Sequence, residues 1–177
     1  MSGMTKATYV LRPGSPEDVA IDDAAVALYA EAGIIMDFGA DHPLVVAEQN
    51  AWRTCAKNGG LVFAESETEG ARVGFFALGD ADDEAYLEQI AVLPTHMRRG
   101  IGRQLITAVI AMARRRGHTH LVLAIYDHVP WNRPYYEALG FAPILAERVG
   151  PTLRHDLATQ RRYLPMPHHR IAMRKVL

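Results

Sequence analysis

From Met97 to Arg103 the chain reads Met-Arg-Arg-Gly-Ile-Gly-Arg, which places three cations and two glycines within seven residues. Immediately afterwards Ile101, Leu105, Val109 and Met112 recur at helical spacing, with Ile106, Ile110 and Ala113 beside them. This is the clearest amphipathic helix in the chain. A glycine-containing loop that opens onto such a helix has the makings of an anion site. Glycine tolerates positive φ and lets the backbone come close to a ligand. The N–H groups of the loop and first turn then face that ligand, and the helix dipole favours negative charge there. Arg98, Arg99 and Arg103 add positive charge at the same end. A pyrophosphate suits this arrangement, although two glycines at a helix start also make an ordinary tight turn. A dinucleotide-binding fingerprint would need a third glycine at a set spacing, and a P-loop would need a Gly-Lys-Ser/Thr ending; neither is present.

The elements that must hold this loop follow from pattern. Thr8–Leu11 alternates weakly into Arg12 and Pro13 and reads as a first strand. Ser15-Pro16-Glu17-Asp18 has the N-cap, proline and acids of a helix start, for a helix reaching about Ala32 and stopped by Gly33. Ile34–Pro43 reads as a loop, and a second helix covers Leu44–Lys57 before Asn58-Gly59-Gly60. Leu61–Glu65 and Arg72–Leu78 form a hairpin around the polar turn Ser66–Gly70. The acidic turn Gly79–Glu84 leads into a long strand, Ala85–Val92, ended by Pro94. The amphipathic helix closes at Arg114-Arg115-Arg116-Gly117, cations and glycine where a C-terminus favours them. His120–Tyr126 reads as a buried strand, Asn132–Leu139 as a short helix, and Phe141–Glu147 and Arg170–Val176 as closing strands. Arg148–His169, rich in Arg, His and Pro, is the least readable stretch. The order predicts an α/β fold (α+β, mixed sheet) with helices packed on it, as one domain over residues 1–177.

Composition narrows the classes of function. Apolar residues make up 49% of the 177-residue chain, enough for a sizeable core. A net charge of −1 gives no electrostatic footprint for nucleic acid. No apolar run approaches about 18 residues and no signal-peptide stretch opens the chain, so no membrane partner is expected. Cys55 is the only cysteine, which excludes an intrachain disulfide and suits a reducing, cytoplasmic setting.

Two segments carry a resemblance to a known family. Tyr-Leu-Glu-Gln-Ile-Ala-Val-Leu-Pro-Thr-His-Met-Arg-Arg-Gly-Ile-Gly, from Tyr86 to Gly102, resembles the acetyl-CoA motif of the GNAT family of N-acetyltransferases. Val92 and Pro94 match the strand end, and Gly100 and Gly102 match the glycines; Met97 departs from the family's Gln/Arg. The segment Pro130-Trp-Asn-Arg-Pro-Tyr-Tyr-Glu-Ala-Leu-Gly-Phe141 resembles the second signature, with Asn132, Tyr136 and Gly140 in register. The resemblance implies a central, mostly antiparallel sheet flanked by helices. It implies direct acetyl transfer from acetyl-CoA, as co-substrate, to a primary amine of a small molecule or peptide. The implied cofactor contacts are Ile90, Ala91, Val92, Arg98, Arg99, Gly100, Ile101, Gly102, Arg103, Asn132 and Tyr136. Glu88 resembles the glutamate that acts as general base in some members, with Tyr86, Ile90 and Val92 as its partners in strand alternation. A backbone N–H near Ile90–Val92 would steady the oxyanion, and Tyr136 would protonate the leaving thiolate. For Glu88 the competing reading is a carboxylate paired with arginine, and for Tyr136 a core aromatic, a place that Tyr135 fills better.

Other conspicuous residues carry less. Eight histidines invite a metal, but no His-Glu-x-x-His or Cys/His cluster exists, and the adjacent His168 and His169 would point to opposite faces of a strand. No metal is therefore expected. Arg114–Arg116 reads as a solvated helix end, and Trp52 and Trp131 as packing residues. Asp37, Asp41 and His42 sit where family members line the acceptor site, and Cys55 has no partner pattern for a nucleophile. A non-catalytic acyl-CoA-binding module and a protein N-terminal acetyltransferase are the alternatives, and a homodimer is the slight preference for assembly.

Overall fold

The computed structural model describes residues 8–19 and 41–177. Its sheet has seven strands: β1 (Tyr9–Pro13), β2 (Leu61–Ser66), β3 (Ala71–Ala81), β4 (Glu84–Val92), β5 (His120–Tyr126), β6 (Ala142–Pro143) and β7 (Arg170–Val176). They lie in the order β1-β2-β3-β4-β5-β7-β6, antiparallel throughout except for β4 beside β5. Four α-helices are described: α1 (Pro43–Lys57), α2 (Ile101–Arg115), α3 (Asn132–Ala138) and α4 (Pro151–Tyr163). None is long and apolar enough to cross a membrane.

Helices cover both faces. Ile101, Leu105, Ile106 and Val109 of α2, with Tyr136 of α3, pack on Phe76, Leu87, Leu123 and Met173. On the other face Trp52, Cys55 and Ala56 of α1 meet Phe63, Phe75 and Ala77. Leu153 and Leu157 of α4 cover Tyr86, Val122 and Ala172. The period-2 strands and 3.6-period helices of the sequence thus deliver one mixed sheet with two layers of helix.

Several local expectations change. The strand expected at Phe141–Glu147 shrinks to Ala142–Pro143, followed by a 3₁₀ turn at Ala146–Arg148, because β6 is an edge strand that pairs only with β7. The unassigned stretch after Arg148 contains α4, whose short apolar stripe, Leu153 and Leu157, gave only a weak helical signal. Of the helix expected from Ser15, a 3₁₀ turn at Pro16–Val19 is described and residues 20–40 lie outside the described set.

Helix α4 is anchored from across the sheet. Asp82 and Asp83 take positive φ, +53° and +66°, in the two-residue turn between β3 and β4, a conformation Asp tolerates. The Asp82 carboxylate then accepts from the N–H groups of Thr152 (2.9 Å) and Leu153 (3.1 Å), in the first turn of α4. Slight burial pushes that carboxyl up, but these N–H groups outweigh it and hold it below the usual range. Gly150 is required beside it, since a Cβ there would lie 2.2 Å from Asp82 Oδ2. Asp82→Ala is expected to lower stability by about 1 kcal/mol, as for loss of a helix cap. The loss, read from denaturant unfolding at pH 7, shrinks in acid as pH falls through the lowered pKa and the carboxylate is neutralised.

Candidate active site

The site begins with an extra residue. Ala77 pairs with Gln89 and Leu78 with Leu87, so Glu88 is a bulge in β4 with no partner on β3. A bulge bends its strand and resets the alternation of faces. Leu87 and Ile90 consequently share the α2 face, whereas Tyr86 and Ala91 share the other. This corrects the expected alternation. Glu88 shares neither Ile90 nor Val92 as face partners; its carboxylate lies on the α1 side, 3.4 Å from where a Cβ on Gly79 would sit and close to Cys55.

Parallel pairing of β4 with β5 covers only Ala85–Leu87 against Leu121–Leu123. Beyond that the strands part, and β5 continues to Tyr126 against β7. The opening is a cleft of about 620 Å³, lined by Glu88 to Val92 and Met97 on one side and by Leu123 to Tyr126 on the other. Asn132, Tyr136, Met166 and Arg170 complete its walls. Leu93 N–H donates to Val73 O, so strand alternation turns the N–H groups of Ile90 and Val92 toward the cleft. The Ile90 N–H is met by Gln89 Oε1 at 3.1 Å.

The cation-rich loop sits at one end of β4. Gly100 has φ +87° and begins α2 with no side-chain cap, so the first-turn N–H groups have no acceptor within the helix. Arg98 also takes positive φ, +61°. Arg98, Arg99 and Arg103 are exposed; Arg99 reaches Tyr9 Oη at 3.4 Å. The space over Gly102 is open, with Tyr135 Oη at 3.9 Å and Val92 Cγ2 at 4.0 Å from a Cβ placed there. Uncapped amides, exposed cations and an unfilled approach over Gly102 fit a pyrophosphate.

Asn132 opens α3 and donates from Nδ2 to Tyr126 O at 3.1 Å, which leaves its carbonyl oxygen for a ligand. The expected core placement of Tyr135 is overturned, and Tyr136 is the buried ring of the pair. Tyr136 is 8% exposed, packs edge-to-face on Phe141 at 5.6 Å and lines the cleft. Tyr135 is 40% exposed and stands over the glycine loop, so it is not the core aromatic of the pair. Helical geometry turns adjacent residues about 100° apart, and Tyr136 occupies the inward position. Burial holds its phenol well above the usual range, so it stays protonated.

The acid end involves residues that sequence reasoning missed. Glu48 of α1 and Asp156 of α4 join Glu88 around a small cavity beside the cleft. Burial, then the charges of Glu48 and Asp156, push the Glu88 carboxyl well above its usual range. Burial likewise raises Glu48 to about 7, with Arg170 pulling it down and Asp156 pushing it up. Burial also raises Asp156. Glu48 could have been found, because it interrupts the apolar stripe Leu44, Trp52, Cys55 at the i+4 position. Asp156 sits in the same way beside Leu153 and Leu157.

Other residues do not gather here. Trp131 is 74% exposed at the cleft mouth, not packed as expected, whereas Trp52 is buried against Phe75. His42 caps α1, accepting from Leu44 N–H at 3.2 Å; Asp41 is exposed, and Asp37 lies outside the described residues. Arg116 folds back onto Asn58 O at 2.7 Å. Cys55 is buried, and burial raises its thiol far from any nucleophilic role.

Comparison with known proteins agrees with this geometry. N-acetylglutamate synthase from Neisseria gonorrhoeae, solved with coenzyme A and N-acetyl-glutamate, superposes with a TM-score of 0.68 at 18% identity, over 98% of this chain and 36% of that one. This chain therefore spans about a third of the length of that synthase. Ard1 from Thermoplasma volcanium gives 0.64 at 17% identity over 96% and 97% of the two chains. The PaiA N-acetyltransferase from Thermoplasma acidophilum, with coenzyme A, gives 0.63 at 13% over 96% and 99%. These likenesses establish the shared fold. In sequence, residues 27–141 match the model of the acetyltransferase (GNAT) family. With that match over more than half its length, the chain belongs to the acetyltransferase (GNAT) family.

Proposed function

We propose that this protein moves an acetyl group from acetyl-CoA to a primary amine of a small molecule or peptide by direct transfer. The observation that carries the reading is the cleft opened at Glu88, lined by both Glu88 and Tyr136 and by Val92, whose Cγ2 lies beside Gly102 at the uncapped start of α2. Acetyl-CoA supplies an activated thioester, and the cleft residues act on it. Amides of Gly100, Ile101, Gly102 and Arg103, with Arg98 and Arg99 nearby, hold the pyrophosphate. Ile90, Ala91 and Asn132 line the arm, and the Val92 N–H faces the carbonyl oxygen as charge gathers on it.

An amine arrives as an ammonium ion and must lose a proton before attack. Glu88, flanked by Glu48 and Asp156, accepts that proton in its ionised form, which the ammonium beside it favours. The nitrogen then forms the C–N bond, the C–S bond breaks, Tyr136 Oη gives its proton to the departing sulfur, and the second proton released by the nitrogen restores the phenol. The raised phenol suits this role, since it stays protonated at neutral pH.

Calorimetric titration tests the cofactor half of the reading. Acetyl-CoA and CoA are expected to bind at micromolar Kd and ATP only weakly; absence of acyl-CoA binding overturns the reading. Gly102→Ala meets nothing closer than 3.9 Å. It should leave stability unchanged or raise it by up to about 1 kcal/mol while weakening acetyl-CoA binding at least tenfold.

Kinetics test the chemistry. Tyr136→Phe keeps the Phe141 contact and should lower kcat by about a hundredfold with little change in acetyl-CoA affinity. Glu88→Gln should lower the rate similarly and remove the acid limb of the pH–rate profile. An intact profile would assign the proton to another group.

Glu48 gives a stability prediction. Its folded pKa of about 7 lies above the unfolded value, so the native state binds the extra proton and stability falls as pH rises from about 4.5 to about 7. Glu48→Gln removes that cost. The variant is expected to melt higher than wild type above pH 7, by up to about 3 kcal/mol in unfolding free energy, with the gain vanishing near pH 4.5.

A further inference from the structure

The ends of β5 and β7 bring together three side chains that the acetyl-transfer chemistry does not use. Tyr126 and Arg170 form the last register pair of the two strands. One residue further, Asp127 N–H donates to His169 O at 2.9 Å, which extends the ladder past both strands and sets the side chains of Asp127 and His169 beside each other. His169 Nδ1 stands 2.9 Å from Asp127 Oδ1. The His128 ring lies 4.9 Å from the His169 ring, tilted by 51°, and rests edge-on against Tyr126 at 5.1 Å. One donor atom from each of Asp127, His128 and His169 lies within 4.8 Å of the other two.

We propose that Asp127, His128 and His169 bind one divalent transition-metal ion of the zinc class at the lip of the cleft. Two imidazoles and a carboxylate form a borderline donor set that suits zinc, cobalt or nickel over calcium or magnesium. Zinc bonds of about 2.0–2.1 Å place tetrahedral ligands about 3.4 Å apart. The widest separation here needs a contraction of roughly 1.4 Å, within reach of rotamer adjustment by two exposed rings. The backbone bond between Asp127 and His169 fixes two of the three ligands before the ion arrives.

The surroundings set the strength. The Arg170 guanidinium, 5.2 Å from the Tyr126 ring centre and bonded to Gln160 Oε1 at 2.8 Å, places a fixed positive charge nearby. Affinity in the micromolar range follows, below that of a closed four-ligand site. Three protein ligands leave a position for water or an anion. His128 lines the cleft, and Tyr126 Oη donates to Pro165 O at 2.7 Å. An ion therefore ties the Pro165–His169 segment to the end of β5 where that segment forms one wall of the opening. Motif reading could not assemble these ligands, because they come from positions 127–128 and 169, and the proposal departs from the sequence expectation of no metal.

The test uses the full chain without a histidine tag, stripped with chelator and titrated with Zn²⁺ by calorimetry and with Co²⁺ by visible absorption. Wild type is expected to bind one ion with a micromolar Kd and to give the cobalt d–d bands of a low-coordinate nitrogen–oxygen site. His128→Ala and His169→Ala should each weaken binding at least tenfold, and Asp127→Asn by several-fold. His155→Ala, on the exposed face of α4, should bind as wild type does. Binding weaker than millimolar in wild type, or undiminished binding in His128→Ala, overturns the proposal. His128 makes only ring contacts among the described residues, so its removal decides the matter even if His169→Ala perturbs folding.

Discussion

Parallel pairing of β4 and β5 stops after Leu87 and Leu123, and the cleft between the two strands depends on that stop. Glu88 is the extra residue at that point of β4. A regular β4 would have continued along β5, closed the cleft and placed Glu88 in ordinary alternation. With the bulge, the strand bends away, two backbone N–H groups lose their sheet partners, and a carboxylate is left facing a cavity between α1 and α4. The Gln89 side chain meets the Ile90 N–H, and the Val92 N–H faces the open cleft.

The two faces of the sheet divide the work. The α2 and α3 side presents the uncapped helix start, Asn132 and the buried Tyr136, all suited to an anionic, thiol-bearing ligand. The α1 and α4 side presents Glu48, Glu88 and Asp156, suited to a cation. The cleft runs between them, so its two walls are chemically opposite in character. Helix α4 belongs to this division. Asp82, reaching across from the β3–β4 turn, fixes its start and thereby the position of Asp156.

Burial does more than pack the core here. The same desolvation that keeps the Tyr136 phenol protonated also raises Glu48 and Glu88, because carboxylates crowded in a partly dry pocket disfavour a second negative charge. Such groups cost stability at neutral pH, and Glu48 does so from within an apolar stripe.

The loop from Met97 to Arg103, the strand ahead of it and the amphipathic helix behind it were legible in the sequence, because glycine placement, charge and helical period are local properties. So was the family, since its two signatures lie in short contiguous segments within residues 27–141. Glu48 and Asp156 announced themselves only as polar interruptions of apolar stripes, which has no meaning until the stripes have partners. Three things were decided by tertiary structure alone. The bulge at Glu88 depends on register between β3 and β4, a relation between distant segments that alternation within one strand cannot reveal. The choice of Tyr136 over Tyr135 as the inward ring depends on how α3 is rotated against Phe141. The meeting of Asp127 and His128 with His169 depends on the pairing of β5 with β7 across more than forty residues of chain. Sequence fixes which contacts each segment is able to make, and only the packed sheet selects among them.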